Sequence, residues 1–321
     1  MLVGRLAPSP TGALHVGHAR SFLLAWCAAR AAGGRVVLRV EDLDAPRVVP
    51  LAEDALRRDL EWLGLDWDEE HRQSDTLTRI HTALERLLEA GVAYPCICSR
   101  GDIRRAQSAP HAEDRAPAYP GTCRGRFASL EAATREAGRA AVRFAVPPGI
   151  IRFTDEVYGA QRFDLAKLTG DFLIARHGGA PAYQLAVVVD DHAQGITQVV
   201  RGRDLLESTA QQRLLYAALG FEPPRFAHLP LVLDEHGKRL AKRSDAVSLQ
   251  ALRARGVSPE RLVGWAAESV GLNLEGVAGA PAALSARELL AHFSLERLHT
   301  GDTRLTEQAL VSGAVQPPKP S

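Results

Sequence analysis

The pattern of apolar and polar positions predicts an open α/β sheet at the start of the chain. Residues 2–7 form a short apolar run typical of a buried strand, which the prolines and glycine of residues 8–12 end. Residues 17–32 predict a helix that Gly33 and Gly34 stop. Residues 35–40 are rich in valine and predict the next strand. This order of elements predicts two parallel strands joined by a right-handed crossover.

The remaining chain alternates between helix and strand signals. Helices are predicted at residues 51–63, 76–90, 204–219, 258–270 and 285–293, and strands at 141–146, 172–175 and 183–189, with a short one at 199–200. Ser285 and Glu288 have the spacing of a capping box. Residues 94–127 differ, because they are rich in Cys, Pro, Gly and Arg. A segment of that length without periodicity indicates that something other than a core holds it in place.

Composition narrows the class of protein. The chain has 321 residues, of which 46% are hydrophobic and 24% charged, as expected for a globular enzyme. No apolar run approaches about 18 residues, and the first residues do not read as a secretory signal, so we expect a cytoplasmic protein with no membrane partner. The net charge of +1 does not indicate a nucleic-acid partner. Any RNA would have to bind a local basic face.

The turn after the first strand carries the most informative motif. Residues 8–18 read PSPTGALHVGH. A helix beginning here directs unpaired N–H groups and partial positive charge toward the turn, where they can bind phosphate. His15 and His18 are about one helical turn apart and can donate hydrogen bonds to the same group. Gly17 has no Cβ, so a base or ribose could lie against the backbone.

A second basic segment follows the apolar run 229–233. Residues 237–244 read GKRLAKRS, which by itself fits a charged surface turn as well as a phosphate site. Together, the two segments resemble the HIGH and KMSKS motifs of class I aminoacyl-tRNA synthetases, in the form found in the glutamyl and glutaminyl branch. Lys242 matches the second lysine of KMSKS. Arg239 replaces the first lysine, which keeps the charge but changes its geometry, and Ala241 replaces the serine and removes a hydroxyl.

This resemblance implies a Rossmann-like catalytic domain that uses ATP with Mg²⁺. In the family, the two histidines stabilise the α-phosphate while an amino acid carboxylate attacks it, which yields an acyl adenylate and pyrophosphate. His15, His18 and Lys242 are therefore the expected catalytic residues, and Lys242 would neutralise charge that develops on the triphosphate. The ATP-binding residues that the resemblance implies are Pro8, Gly12, His15, Gly17, His18, Arg239 and Lys242.

Two charged residues at predicted strand ends indicate the amino acid. Arg5 and Glu41 lie at the carboxyl ends of neighbouring parallel strands, where open α/β sheets bind ligands, although they could instead pair with each other or with solvent. The segments RLAPS and EDLD around them resemble those that hold glutamate in glutamyl-type enzymes. Tyr183 and Arg201 match two further glutamate-binding positions, although by sequence alone Tyr183 could equally be a strand residue that packs its ring in the core. The glutamate-binding residues expected on this basis are Arg5, Leu6, Ala7, Pro8, Ser9, Glu41, Tyr183 and Arg201.

The cysteines favour a metal over a disulfide. Cys96, Cys98 and Cys123 lie in the irregular segment, and zinc requires a fourth ligand. The metal rules alone point to His111, with Tyr119 and Glu113 as alternatives. Residues 119–123 resemble the Tyr-x3-Cys half of a zinc knuckle in glutamyl-type enzymes, so the resemblance favours Tyr119. Zn²⁺ would then have a structural role.

Little sequence follows Lys242, whereas full glutamyl-tRNA synthetases carry a large anticodon-binding region there. This resembles the truncated members of the branch, which attach glutamate to queuosine in the anticodon loop of tRNA(Asp). We expect L-glutamate, ATP and queuosine-modified tRNA(Asp) as substrates of a monomer. The arginines around the knuckle either contact phosphates or form a solvated basic face: Arg100, Arg104, Arg105, Arg124 and Arg126. The alternatives are a minimal synthetase charging a tRNA 3′ end, a nucleotidyltransferase and a non-catalytic tRNA-binding relic.

The expected architecture is α/β, a Rossmann-like class I synthetase catalytic domain with a zinc-knuckle insertion and a short helical C-terminal region. The first half of the catalytic domain is expected at 1–93, the knuckle at 94–127 and the rest of the catalytic domain, with a connective insertion, at 128–235. The KMSKS-like loop and C-terminal helices then occupy 236–300, and a flexible tail occupies 301–321.

Overall fold

Short, densely apolar strands and longer helices with one buried face build the fold. The computed structural model of the chain describes residues 1–44, 48–49, 51–99, 101–103, 118–238, 240, 247–272, 274, 283–305 and 310. The strands in chain order are β1 (Val3–Leu6), β2 (Arg35–Val40), β3 (Glu69–Arg72), β4 (Ala93–Cys96), β5 (Ala141–Phe144), β6 (Ile151–Asp155), β7 (Gly159–Phe163), β8 (Phe172–Ala175), β9 (Gln198–Gly202), β10 (Arg225–Leu229), β11 (Val232–Leu233) and β12 (Thr303–Arg304). The helices are α1 (Val16–Ala31), α2 (Ala52–Trp62), α3 (Leu77–Glu89), α4 (Leu130–Ala137), α5 (Leu165–Leu168), α6 (Tyr183–Ala193), α7 (Leu206–Leu219), α8 (Leu249–Ala254), α9 (Pro259–Glu268) and α10 (Ala286–Leu289).

The central sheet has the strand order of a doubly wound fold. β2 pairs in parallel with both β1 and β3, and β10 pairs in parallel with β9 and β6. The two halves meet between β1 and β9, where the Thr197 N–H donates to the Val3 carbonyl at 2.9 Å. The strand order reverses at this point, because β2 and β3 extend the sheet on one side and β10 and β6 extend it on the other. This reversal opens a crevice at the carboxyl ends of the two strands.

Two apolar clusters cover the two faces of this sheet. One contains most of α1 together with the C-terminal helices, and the other contains the buried faces of α3, α6 and α7. A separate antiparallel sheet, β4-β5-β8, carries the cysteine segment at its edge. Among the described residues, no helix is long and apolar enough to cross a membrane.

The structure corrects two of the predicted elements. Residues 183–189 form the start of helix α6 rather than a strand. The sequence pattern was misleading because seven consecutive residues of this helix, from Leu185 to Asp191, are buried, so residues 183–189 show no polar helix face. The start of the flexible tail predicted at 301–321 is also wrong, because Thr303 and Arg304 form strand β12, which pairs in parallel with β11. The capping box of Ser285 and Glu288 is confirmed at the start of α10.

Candidate active site

One cleft lies at the carboxyl ends of β1, β2 and β9. It encloses about 1060 Å³, part of it open to solvent, and it is lined by residues from both sequence segments singled out above. Glu41 is fixed beside the turn after β1 because its N–H donates to the Pro8 carbonyl at 2.9 Å. The predicted residues Arg5, Ala7, Pro8, Ser9, His15, Gly17, His18, Glu41, Tyr183 and Arg201 all line this cleft.

Of the predicted ligand-binding residues that the structure describes, two do not line the cleft. The Leu6 side chain is fully buried in the core, so only its backbone could contact a ligand. Gly12 adopts a φ of +133°, a conformation that L side chains rarely adopt, and its role is therefore to shape the turn.

The histidines stand together at the start of α1. His15 is the N-cap residue, and its ring stacks on that of His18 with the centroids 3.8 Å apart. A Cβ added at Gly17 would lie 3.3 Å from two atoms of the His15 ring, so the glycine allows the ring to lie against the helix. The first turn of α1 and both imidazoles therefore face one small volume suited to phosphate.

The basic loop is bracketed by residues at the same cleft. Leu240 lines it, and the Leu240 N–H donates to the Val232 carbonyl at 3.3 Å. On the other side of the loop, Ser248 forms an antiparallel bridge with His15, and the Leu249 N–H donates to the Leu14 carbonyl at 2.8 Å. Arg239 and Lys242 themselves lie outside the described residues. One end of their loop therefore contacts the histidine turn, and the other end lines the same cleft.

Arg201 is a buried cation surrounded by neutral acceptors. Its Nη2 donates to Thr209 Oγ1 at 2.7 Å and to Gln212 Oε1 at 2.8 Å, and its Nη1 lies 3.4 Å from the Tyr183 hydroxyl. Within the described part of the chain, no carboxylate lies within 4.0 Å of its guanidinium. Because burying an unpaired charge is costly, this arrangement is suited to an incoming anion.

A charge network holds Arg5 and Glu41 apart. Arg39 is fully buried and donates to Asp191 at 2.6 Å and to Glu41 at 3.1 Å. Asp191 is 3.9 Å from Arg5 Nε, an atom with no hydrogen-bond partner. Burial raises the pKa of Glu41, and Arg39 opposes that shift. Among the described residues, Arg5 and Glu41 form no ion pair with each other, and both line the cleft where a ligand could reach them.

Three further charged residues in or next to the cleft were not predicted from the sequence: Arg39, Asp191 and Arg20. Arg20 lines the phosphate end of the cleft, is buried, and donates to the Pro230 carbonyl and to Ser269 Oγ. Burial lowers its pKa to about 10. The sequence signal that could have indicated them is a charged residue inside an apolar run, such as Arg39 in RVVLRV. A charged residue buried in this way requires buried partners.

The three cysteines and Tyr119 converge at the edge of the antiparallel sheet. Their three Sγ atoms lie within 4.8 Å of one another, with Cys98 and Cys123 at 3.5 Å. The Tyr119 hydroxyl lies 3.3 Å from Cys96 Sγ and 3.6 Å from Cys98 Sγ. Zinc–sulfur bonds of about 2.3 Å in a tetrahedron give ligand separations of about 3.8 Å, so this spacing fits a zinc ion. His111 and Glu113 lie outside the described residues.

Nearby arginines have structural partners. Arg143 donates to Cys96 Sγ at 3.3 Å, and its Cζ lies 3.8 Å from the centre of the Tyr119 ring. Arg124 pairs with the buried Asp171, and Arg126 pairs with Glu136. Because Arg124 and Arg126 are engaged in these ion pairs, they are poorer candidates for phosphate contacts than the sequence suggested.

Comparison with known proteins agrees with this geometry. The family model of the class I tRNA synthetases (E and Q), catalytic domain, matches residues 1–300. A glutamate tRNA ligase from Elizabethkingia meningosepticum, solved in complex with its amino acid, superposes with a TM-score of 0.81 at 28% identity, covering 96% of this chain and 67% of that one. The chain thus has the catalytic domain of a class I tRNA synthetase of the E and Q branch. It is a ligase of the type that forms an aminoacyl-adenylate.

Relatives of similar length define the branch more closely. A glutamyl-Q tRNA(Asp) synthetase from Symbiobacterium thermophilum is 47% identical over 97% of this chain and 98% of the relative. A second, from Nitratidesulfovibrio vulgaris, is 43% identical over 95% of this chain and 100% of the relative. The chain belongs to the glutamyl-Q tRNA(Asp) synthetase family.

Proposed function

We propose that the protein activates L-glutamate with ATP and Mg²⁺ and transfers the glutamyl group to queuosine in the anticodon loop of tRNA(Asp). The observation that carries this proposal is the cleft itself. It joins a phosphate-binding helix start at His15 and His18 to a pocket with two incompletely paired arginines, Arg5 and Arg201. Glutamate and ATP are the pair of ligands that this combination of charges suits.

The charges of the pocket match those of glutamate. The side-chain carboxylate would meet Arg5 and Arg201, and the α-ammonium would meet Glu41, which Arg39 orients from behind. Glutamine lacks the negative charge that these arginines require, so it would leave them unpaired in a buried site. Aspartate is one methylene shorter and could not reach both ends of the pocket at once.

The proposed chemistry needs no protein nucleophile. The α-carboxylate of glutamate attacks the α-phosphorus of ATP, the bond to the β-phosphate breaks, and pyrophosphate leaves. His15 and His18 would hold the α-phosphate, while Arg239 and Lys242 would neutralise the leaving pyrophosphate. The rate would therefore depend on alignment and electrostatics. A queuosine hydroxyl would then attack the adenylate carbonyl and release AMP.

The proposal also includes a zinc ion with a structural role. Cys96, Cys98, Cys123 and Tyr119 would bind it, as their spacing supports. The ion would tie the end of β4 to the segment around Cys123, which otherwise has only a small apolar cluster to hold it.

Two assays test the activity. Pyrophosphate exchange should occur with glutamate and be at least about 100-fold weaker with glutamine or aspartate, since each leaves buried charge unpaired. Labelled glutamate should be transferred to queuosine-containing tRNA(Asp) and not to the same tRNA without queuosine. Equal transfer to both, or transfer to the 3′ end of tRNA(Glu), would instead identify a minimal glutamyl-tRNA synthetase.

A further inference from the structure

A buried histidine lies directly behind the arginine of the pocket. His228 is in β10, next to β9, and is opposite Arg201 in the parallel register. Arg201 Nε donates to His228 Nε2 at 3.2 Å, and Thr209 Oγ1 lies 3.1 Å from the same nitrogen. His228 Nδ1 lies 2.6 Å from Asp155 Oδ2. Both His228 and Asp155 have fully buried side chains.

The partners fix the protonation of this pair. A guanidinium can only donate, so His228 Nε2 must be the acceptor and the ring proton must lie on Nδ1, where Asp155 accepts it. Asp155 Oδ1 also accepts the backbone N–H groups of Val157, Tyr158 and His228. Asp155 is therefore an ionised acceptor, and His228 is neutral.

We propose that His228 and Asp155 are positioning residues that fix the orientation of the Arg201 guanidinium for the substrate carboxylate. This inference rests on the proposed role of Arg201 in glutamate binding. A carboxylate in direct contact with Arg201 would orient it equally well, but it would also compete with the substrate for the same donors. A neutral imidazole supplies the acceptor and leaves the charge of Arg201 for the ligand. Asp155 acts one step further away by holding the imidazole in the required tautomer.

Two substitutions at His228 separate this role from general packing. In His228→Asn, the side-chain amide can still donate to Asp155, but no acceptor reaches Arg201 Nε. In His228→Gln, the longer side chain can place its amide oxygen near the former Nε2 position. We expect the Asn variant to raise the KM for glutamate about 10- to 100-fold in pyrophosphate exchange, as for a lost hydrogen bond to a charged group. The Gln variant should recover most of that loss, and the KM for ATP should not change in either.

Asp155→Asn provides a second route to the same state. An amide at this position can donate to His228 Nδ1, which moves the ring proton to Nε2 and directs it at the Arg201 N–H. This variant should reproduce the glutamate-specific rise in KM with His228 intact, so it keeps the proposal testable if His228→Asn does not fold.

The control removes a buried hydrogen bond elsewhere. Thr303 is buried in β12, where its hydroxyl donates to the Ser269 carbonyl at 2.5 Å. Thr303→Val should leave the KM for glutamate unchanged. If His228→Asn and Asp155→Asn keep the wild-type KM for glutamate, or raise the KM for ATP equally, the positioning role is refuted while glutamate activation stands. If the wild-type protein shows no glutamate-dependent exchange, the proposed function itself fails.

Discussion

Replacing Arg39 with methionine would test the charge network that supports the amino acid pocket. The guanidinium is fully buried and contacts Asp191 at 2.6 Å and Glu41 at 3.1 Å. Its removal takes this partner from both carboxylates in a poorly solvated site. Loss of one partner from a buried ion pair costs about 3–5 kcal/mol, and we expect the free energy of unfolding of Arg39→Met to fall by that amount. Denaturant titration at neutral pH measures it directly.

The same substitution should change glutamate binding with a defined pH dependence. Arg39 opposes the rise in the pKa of Glu41 that burial causes, so without Arg39 this pKa rises further. Neutral Glu41 attracts the α-ammonium of glutamate poorly. The KM for glutamate therefore increases as pH falls through the pKa of Glu41, and in Arg39→Met this increase should begin at a higher pH than in the wild type.

Arg30→Met is the matched control, because Arg30 also contacts two carboxylates. It pairs with Asp66 at 2.7 Å and Asp68 at 2.8 Å, but the side chains of those residues are 48% and 37% exposed. Solvent screening should limit its effect to about 1 kcal/mol or less. Equal destabilisation by the two substitutions, or an unchanged KM for glutamate in Arg39→Met, would refute the role assigned to the buried network.

Three further predictions concern separate parts of the molecule. Removal of the proposed zinc ion by a chelator should expose the three cysteines of the cluster to thiol reagents. Arg143→Gln should speed zinc release, measured with a chromogenic chelator, because the guanidinium stabilises a ligand thiolate. Burial lowers the pKa of His228 below its ordinary value of 6.5, so protonation favours the unfolded chain, and the stability that neutral His228 contributes above pH 6.5 is lost as pH falls below it. Burial would raise the pKa of Asp155, but its hydrogen bonds lower it below the ordinary value of 3.8, so the contribution of Asp155 is lost only in stronger acid. The Tm of the wild type should accordingly drop more between pH 7.5 and 5.5 than that of His228→Asn. Gly17→Ala places a methyl group 3.3 Å from the His15 ring, so the KM for ATP should rise several-fold with little change in the KM for glutamate.

The first crossover was predictable because its signals are local. The strand and helix boundaries of residues 3–40 follow from apolar runs and glycine stops, and the structure confirms them within one or two residues. β3 was not predicted, since Glu69–Arg72 has no apolar position and is a strand only because it pairs with β2. Residues 183–189 were assigned the wrong type, because a buried helix and a buried strand both read as an unbroken apolar run.

The site was predictable where a motif or a strand end marked it. The structure brings Arg5, Glu41, Tyr183 and Arg201 to the cleft with the histidines, as the order of strands and the family resemblance suggested. The residues behind them were not predictable. His228 and Asp155 are far apart in sequence, and their contact depends on the pairing of β6 with β10. Sequence patterns indicate which residues reach a ligand. The residues that orient those side chains from behind can be found only in the packed structure.

The central claim is that the histidine turn and the loop around Lys242 act on one ATP molecule beside the glutamate pocket. The most direct test is the rate of glutamyl-adenylate formation by Lys242→Ala, with Lys238→Ala as the control, because Lys238 is exposed and is not among the described residues that line the cleft. We expect a loss on the order of 100-fold for Lys242→Ala and no change for the control, with the Kd for glutamate unaltered in both. Adenylate formation at the wild-type rate in Lys242→Ala would contradict it.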